Sequence, residues 1–175
     1  MEMNFCRRCG KPLKHSNNHV YTCANGHTIY ANHTPAAGVF FMSADNKKVL
    51  LATRGIEPHK GMLHIPAGFL DAQESFEEGA QRELREELGL ETNDYEPLVY
   101  LTSDQDIYPY QNENIPFVSV LFWSKLRGNK TLQAADDISA INWYTLADVE
   151  LDALHADDIR TGIRALQKMF NKEKN

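Results

Sequence analysis

Residues 68–90 read GFLDAQESFEEGAQRELREELGL and combine a regular apolar spacing with a cluster of glutamates. Apolar side chains recur in it at intervals of four, at Phe76, Ala80, Leu84 and Leu88. That spacing predicts an amphipathic helix over residues 74–88. Gly89 is expected to end the helix, because glycine readily adopts the left-handed conformation that closes a helix.

The same stretch contains three glutamates, Glu83, Glu86 and Glu87, spaced i, i+3 and i+4. Helix geometry therefore places their carboxylates on one side, where like charges repel by roughly a few tenths of a kcal/mol per pair. Hard cations such as Mg²⁺ or Mn²⁺ prefer oxygen ligands and would remove that repulsion. The plainer interpretation is a solvated acidic face balanced by Arg82 and Arg85.

The residues around the glutamates favour the metal site. The stretch resembles the Nudix box, G-x5-E-x7-R-E-U-x-E-E-x-G-U with U an aliphatic residue, at every specified position. The matching residues are Gly68, Glu74, Arg82, Glu83, Leu84, Glu86, Glu87, Gly89 and Leu90. The resemblance implies a loop–helix–loop in which the three glutamates bind Mg²⁺ or Mn²⁺, joined by the backbone carbonyl of Gly68. Arg82 and Glu74 would orient this cluster through charge-assisted hydrogen bonds.

The resemblance also implies hydrolysis of a phosphoanhydride bond in a nucleotide derivative, with release of a nucleoside monophosphate. Divalent ions would neutralise the diphosphate and activate a water for in-line attack on phosphorus. A carboxylate must accept the proton of that water, and both Glu86 and Glu87 are candidates.

A further metal-binding carboxylate is implied by the NADH pyrophosphatase branch of the family. That branch has a segment E-I-x-x-A-x-W whose glutamate binds metal. Residues 137–143 read DISAINW here, with Asp137 in the glutamate position and Ile141 in the alanine position. The alternative is that Asp137 belongs to an exposed turn before a strand.

The three cysteines, Cys6, Cys9 and Cys23, all lie in the first 23 residues. An odd number of cysteines is a poor basis for a disulfide framework, and their clustering favours a metal site. Zinc takes four nitrogen or sulfur ligands in a tetrahedron. Residues 6–10, CRRCG, and residues 23–27, CANGH, would supply two pairs of ligands.

The cysteine segment resembles the zinc ribbon that precedes the Nudix domain in the same branch, which implies a structural zinc. That branch usually has a cysteine where this chain has Gly26, so His27 is the expected fourth ligand. His15, His19 and His33 are the alternatives, and an empty, degenerate site is another.

The substrate elements are less specific than the box. Residues 101–114 read LTSDQDIYPYQNEN, and Ser103, Tyr108, Pro109 and Tyr110 loosely resemble the S-Q-P-W-P-F-P-x-S segment of NADH pyrophosphatases. Tyr108 and Tyr110 either stack on a nucleobase or are ordinary edge-strand residues. Arg54 is a candidate phosphate contact or a surface arginine. The expected substrate is a nucleoside diphosphate linked to another group, with ADP-ribose and NAD(H)-like dinucleotides leading.

Composition and pattern set the remaining expectations. The 175 residues suffice for a zinc-ribbon-like domain over 1–33 and a Nudix domain over 34–175. The fold class expected is an α/β/α sandwich with a mixed sheet. Strands are predicted over residues 36–42, 48–53, 97–101, 117–123 and 138–144, with a loop or broken strand over 61–68 and a second helix over 157–170.

The charge and the lack of long apolar runs bear on partners and location. A net charge of −6 disfavours a basic groove for nucleic acid. Neither a secretory signal nor a membrane span is visible, so a cytoplasmic protein is expected. A homodimer is expected from the family alone. Two other functions stay open: a nucleotide sensor that has lost catalysis, which the intact glutamates oppose, and an enzyme acting on RNA 5′ ends.

Overall fold

The computed structural model describes residues 3–17, 19–128, 132, 135 and 138–170. Its strands are β1 (Leu13–Asn17), β2 (Val20–Cys23), β3 (Thr28–Tyr30), β4 (Thr34–Met42), β5 (Lys48–Arg54), β6 (Leu63–His64), β7 (Ala67–Phe69), β8 (Val99–Tyr110), β9 (Glu113–Ser124) and β10 (Ile138–Thr145). Its helices are α1 (Phe76–Leu88) and α2 (Asp157–Phe170). Neither helix in the described part of the chain is long and apolar enough to cross a membrane.

The first three strands form a small antiparallel sheet in the order β1–β2–β3. The buried core beside it consists of Cys6, Cys23 and Ile29. So little apolar mass is unlike an ordinary protein core, and small domains of this kind usually need a metal or a disulfide for stability.

The second sheet has seven strands and mixed pairing. Its main path runs β10–β5–β4–β9–β8, with β6 paired to β5 and β7 paired to β4. Strands β4 and β9 are parallel, and the other neighbours are antiparallel. The mixed sheet flanked by helices confirms the predicted fold class.

The two helices pack on opposite faces of this sheet. Successive residues of β4 alternate between two cores: Phe40 and Met42 pack with α2, whereas Val39 and Phe41 pack with α1. A strand covered on both faces shows a continuous apolar run rather than an alternating pattern. That is why residues 36–42 were easily recognised as a strand.

Helix α1 begins two residues later than predicted because Ser75 caps it. The Ser75 hydroxyl accepts from the backbone N–H of Glu78, and the Glu78 carboxylate accepts from the backbone N–H of Ser75. This reciprocal pair satisfies two donors that the helix leaves open. Gly89 ends the helix at φ 64°, as predicted, and α2 has its predicted bounds.

The region between α1 and β9 departs most from the prediction. Residues 97–101 and 117–123 were expected to be separate strands, but β8 and β9 form one hairpin of two 12-residue strands. Its turn residues Gln111 and Asn112 both have positive φ, which is typical of a tight two-residue hairpin turn. Residues 61–68 contain the two short strands β6 and β7 on either side of Pro66.

Candidate active site and candidate zinc site

Arg82 joins three carboxylates of the Nudix box. Its Nε donates to Glu74 Oε1 at 2.8 Å, and its Nη1 donates to Glu83 Oε1 at 2.6 Å and to Glu86 Oε2 at 3.1 Å. Its Nη2 donates to Glu74 Oε2 and to the backbone oxygen of Phe69. A guanidinium presents its donors in a rigid fork, so one side chain can hold several carboxylates in fixed positions.

The electrostatics agree with this arrangement. The hydrogen bond to Glu74 raises the pKa of Arg82 most, and the hydrogen bonds to Glu83 and Glu86 add to it, while burial acts in the opposite direction. The pKa of Glu74 is lowered, chiefly by Arg82. Arg82 therefore remains charged and neutralises part of the acidic cluster.

Gly68 is required because Glu83 lies against its backbone. A Cβ atom placed on Gly68 would lie 2.0 Å from Glu83 Oε1, far inside van der Waals contact. Strand β7, which contains Gly68, pairs with β4 and holds this backbone in place. The glycine of the box thus gives the Glu83 carboxylate direct access to the main chain at residue 68.

The other two glutamates have different surroundings. The Glu86 side chain is 49% exposed, whereas Glu87 is buried. Glu87 Oε1 lies 3.9 Å from Nε2 of the equally buried His64. His64 Nδ1 in turn lies 2.9 Å from Nε2 of His155.

A cleft of about 460 Å³ extends from the box region across the sheet. One side is aromatic and consists of Phe69, Tyr108, Tyr110 and Phe117. Phe69 contacts Tyr108 and Phe117 edge to face, with ring centroids 5.8 and 6.0 Å apart. Polar side chains line another part: Arg54, His64, His155 and Asp158. Gly68 also lines the cleft, so the carboxylate cluster adjoins it.

Two ionisable groups of the cleft have shifted pKa values. The pKa of His155 is lowered to about 2, chiefly by burial and to a smaller extent by the neighbouring His64 and Arg54. Burial raises the pKa of Asp158 above its ordinary value. With its pKa at about 2, His155 is uncharged at neutral pH.

The three predicted substrate residues all line the cleft. Arg54 is buried, and its Nε donates to the backbone oxygen of Pro58 at 2.9 Å. Tyr108 and Tyr110 lie on the edge strand β8 with their rings stacked at 6.3 Å, so they are both edge-strand residues and part of the aromatic side. Their contact with a substrate stays a prediction.

Three residues of the cleft were not predicted from the sequence: His64, His155 and Asp158. The chain has seven histidines, and those after residue 33 are His59, His64 and His155. These three meet in space, because the His155 ring lies 5.6 Å from the His59 ring and 5.0 Å from the His64 ring. Because they are separated in sequence from the histidines of residues 1–33, these three could have been marked as candidates. Nothing in the sequence shows that they touch. Asp137 lies outside the described residues, so its role stays a prediction.

The cysteine segment gathers four ligand atoms. Those of Cys6, Cys9, Cys23 and His27 all lie within 4.8 Å of one another. Cys9 Sγ lies 3.7 Å from Cys23 Sγ, and Cys6 Sγ lies 3.5 Å from His27 Nδ1. A tetrahedral zinc with bonds of about 2.3 Å to sulfur and 2.0–2.1 Å to nitrogen separates such atoms by about 3.8 and 3.6 Å. The cluster therefore has the size of a zinc site.

Two glycine turns produce this cluster. Gly10 and Gly26 have φ values of 68° and 76°, and their N–H groups donate to the carbonyls of Cys6 and Cys23. The second turn is followed directly by His27, whose Nδ1 lies 3.5 Å from Cys6 Sγ. His15, His19 and His33 are not part of the ligand group found among the described residues.

Comparison with known proteins agrees with the resemblance. The family model for the NUDIX domain matches residues 32–166. The chain is 36% identical over 106 residues to the human protein named NAD(P)H pyrophosphatase NUDT13, mitochondrial, covering 60% of this chain and 29% of that one. It is 31% identical over 113 residues to an ADP-ribose pyrophosphatase of Methanocaldococcus jannaschii, covering 64% and 63%. The chain thus spans less than two thirds of either relative.

Solved structures share the fold. A NUDIX hydrolase from Nitrosomonas europaea aligns over 98% of this chain and 92% of its own, with a TM-score of 0.66 and 21% identity. The NUDIX domain of Shewanella oneidensis NrtR, solved with ADP ribose, aligns over 80% and 90%, with a TM-score of 0.62 and 22% identity. Because the domain match covers most of the chain and the box is complete, this protein belongs to the NUDIX family.

Proposed function

We propose that this protein hydrolyses the diphosphate linkage of a nucleoside diphosphate derivative and releases a nucleoside monophosphate. The supporting observation is the position of Gly68, which lines the cleft on one side and contacts Glu83 on the other. A diphosphate lying in the cleft would meet the carboxylate cluster there. The cleft has a volume suited to a small organic ligand.

The proposed metal ligands are Glu83, Glu86, Glu87 and the carbonyl of Gly68. This donor set consists of oxygen atoms only, which suits Mg²⁺ or Mn²⁺ rather than a softer ion. A bound divalent ion supplies charge neutralisation and a more acidic water. Arg82 and Glu74 orient the carboxylates, and Glu86 or Glu87 accepts the proton from the attacking water. Asp137 is a proposed additional ligand.

We further propose ADP-ribose and NAD(H)-like dinucleotides as the leading substrates. Both relatives are named pyrophosphatases, one for NAD(P)H and one for ADP-ribose. The aromatic side of the cleft offers Tyr108 and Tyr110 as a surface on which a base can stack. Arg54 adds a permanent positive charge, which suits a phosphate.

The test is hydrolysis in ¹⁸O-labelled water with identification of both products. Label on phosphate, together with release of AMP from ADP-ribose or NADH, is the expected result. Label on ribose would mean glycosidic cleavage and would contradict the proposal. A screen over ADP-ribose, NAD⁺, NADH, diadenosine polyphosphates and nucleoside triphosphates identifies the preferred substrate.

Binding measurements with ADP-ribose and with RNA, beside the screen, separate the two alternatives. Tight ADP-ribose binding without turnover would point to a nucleotide sensor. Salt-dependent RNA binding together with hydrolysis at the RNA 5′ end would point to an RNA-processing enzyme.

For residues 1–33 we propose a separate zinc-ribbon domain whose Zn²⁺ is structural, preceding a Nudix domain over 34–175. The support is the ligand geometry of Cys6, Cys9, Cys23 and His27. All four positions of the tetrahedron would be filled by protein, which leaves no open site for chemistry. The predicted homodimer stays a prediction.

A further inference from the structure

A pair of histidines joins the cleft to the buried glutamate of the box. His64 and Glu87 are each about 96% buried at their side chains, and the 3.9 Å between His64 Nε2 and Glu87 Oε1 is too long for a direct hydrogen bond. His64 Nδ1 and His155 Nε2 are 2.9 Å apart, which is a normal hydrogen-bond length. Both imidazole rings line the cleft.

The backbone holds the two rings together. His64 lies on β6, where it pairs with Ala52 of β5. The N–H of His155 donates to the carbonyl of Leu63 at 3.1 Å, and Leu154 forms a bridge with Leu63. The segment before α2 is thus attached to β6 beside His64. The contact between the rings follows from this backbone pairing.

With both rings neutral, the carboxylate of Glu87 favours one direction for this hydrogen bond. A neutral imidazole has one donor nitrogen and one acceptor nitrogen. If His64 Nδ1 donated to His155, the lone pair of His64 Nε2 would face the carboxylate of Glu87 in a buried site, which is unfavourable. If His155 Nε2–H donates to His64 Nδ1, the Nε2–H of His64 points at Glu87 instead, and dipole and charge attract.

The state of His155 agrees with this direction. Burial lowers its pKa to about 2, so the ring is uncharged and is available as a single donor. His59 stacks on the His155 ring and is itself exposed, whereas the contacts that lead to Glu87 run from His155 through His64.

We propose that His155 and His64 are positioning residues for Glu87: His155 donates to His64 Nδ1 and thereby holds the Nε2–H of His64 toward the Glu87 carboxylate. The part that concerns catalysis rests on the proposed hydrolysis. The arrangement of the protons does not.

The first experiment reads the protons directly, in the full-length protein without added Mg²⁺. Long-range ¹H–¹⁵N spectra of ¹⁵N-histidine-labelled protein report which ring nitrogen carries hydrogen. Spectra of His64→Gln and His155→Gln assign the two rings. The proposal requires hydrogen on Nε2 and not on Nδ1 in both rings. Hydrogen on Nδ1 in either ring, including a doubly protonated His64, would overturn it.

The second experiment tests the effect on turnover, with ADP-ribose as the substrate. His155→Leu removes the donor and should lower kcat on the order of tenfold, with KM changed less than about twofold, as for loss of a group that orients a metal ligand. His155→Gln keeps an amide N–H in a similar place and should retain activity within about threefold of wild type. His59→Asn is the control and should match wild type.

The outcomes distinguish this inference from the proposed function. Wild-type protein that fails to hydrolyse any of the screened nucleotides contradicts the proposed function, and the spectra still decide the proton arrangement. If wild type is active and His155→Leu keeps its kcat while folded, His155 does not position Glu87. Equal losses in His155→Leu and His155→Gln would likewise contradict the role of the donated hydrogen bond.

Discussion

The two candidate metal sites differ in what holds their ligands in place. At the amino terminus, Cys6 and Cys23 are two of the three buried core residues as well as proposed ligands. In the box, α1 is anchored by the apolar side chains of Ala80, Leu84 and Leu88, and the carboxylates lie on another face. The comparison teaches that one metal would be part of folding, whereas the other would be added to a fold that already exists.

Zinc removal should therefore produce the largest change in free energy. Purified protein is expected to contain about one zinc per chain, and chelation or Cys23→Ser should unfold residues 1–33, because metal binding in such domains amounts to roughly 10–16 kcal/mol. The Nudix domain should keep most of its activity. Elemental analysis measures the zinc content, hydrogen exchange measures the unfolding of residues 1–33, and steady-state kinetics measure the remaining activity. A zinc content below about a tenth of an equivalent would contradict the site.

The next largest effect should come from replacing Glu87, which is buried, or Glu86, which is exposed. Glu86→Gln and Glu87→Gln should each lower kcat by about 10²-fold or more while the melting temperature changes little, because a proposed metal ligand is lost and the fold does not depend on it. Glu77→Gln, an exposed residue on the same helix, is the control. Near-wild-type turnover of both variants at saturating Mg²⁺ would mean that the box glutamates have been assigned wrongly.

Gly68→Ala tests whether contact with the backbone at residue 68 sets the position of the Glu83 carboxylate. The new methyl group would lie 2.0 Å from Glu83 Oε1, so the carboxylate must move away from the backbone. We expect kcat to fall on the order of tenfold and stability to fall by about 1–3 kcal/mol. Steady-state kinetics and chemical denaturation measure both. An alanine variant with unchanged kcat would show that Glu83 functions equally well elsewhere.

The smallest effect should come from replacing His155. Whereas His27 is a proposed zinc ligand, this histidine is held by hydrogen bonding. Its folded pKa of about 2 lies below the ordinary 6.5, so the unfolded chain binds the extra proton between these values. Its contribution to stability is therefore complete above pH 6.5 and is lost as pH falls. Between pH 7 and 5.5 wild type should lose roughly 1 kcal/mol more than His155→Gln. If wild type and His155→Gln lost the same stability between the two pH values, the lowered pKa of His155 would be contradicted.

The parts of the fold that were predicted correctly depend on short-range patterns. Helix α1 follows from four-residue spacing and from Gly89, and β4 follows from one uninterrupted apolar run. The carboxylate cluster is similarly local, because Glu83, Glu86 and Glu87 lie within two turns of one helix. Recognition of the family, confirmed by the domain match, rested on the same stretch.

The parts that were missed depend on pairing between distant segments. His64 and His155 are 91 residues apart, and they meet because the chain beside His155 bonds to Leu63. The length of β8 was missed because its residues are mostly polar or exposed, as is usual for an edge strand. The start of α1 was placed too early because Ser75, rather than the apolar period, sets it.

The hairpin of β8 and β9 has a consequence for how this protein can diverge. Tyr108, Tyr110 and Phe117 all belong to a ten-residue stretch around one tight turn that lies outside the box. The tip lies beyond the paired part of β8 between Val99 and Asp104. If Tyr108 and Tyr110 contact the base as proposed, the residues that choose the base and the glutamates of the box lie in separate segments of the chain, and only Phe69 on the aromatic side belongs to the box stretch. Under the proposed function, substitutions at the tip would change the ligand preference while leaving the glutamates of the box unaltered.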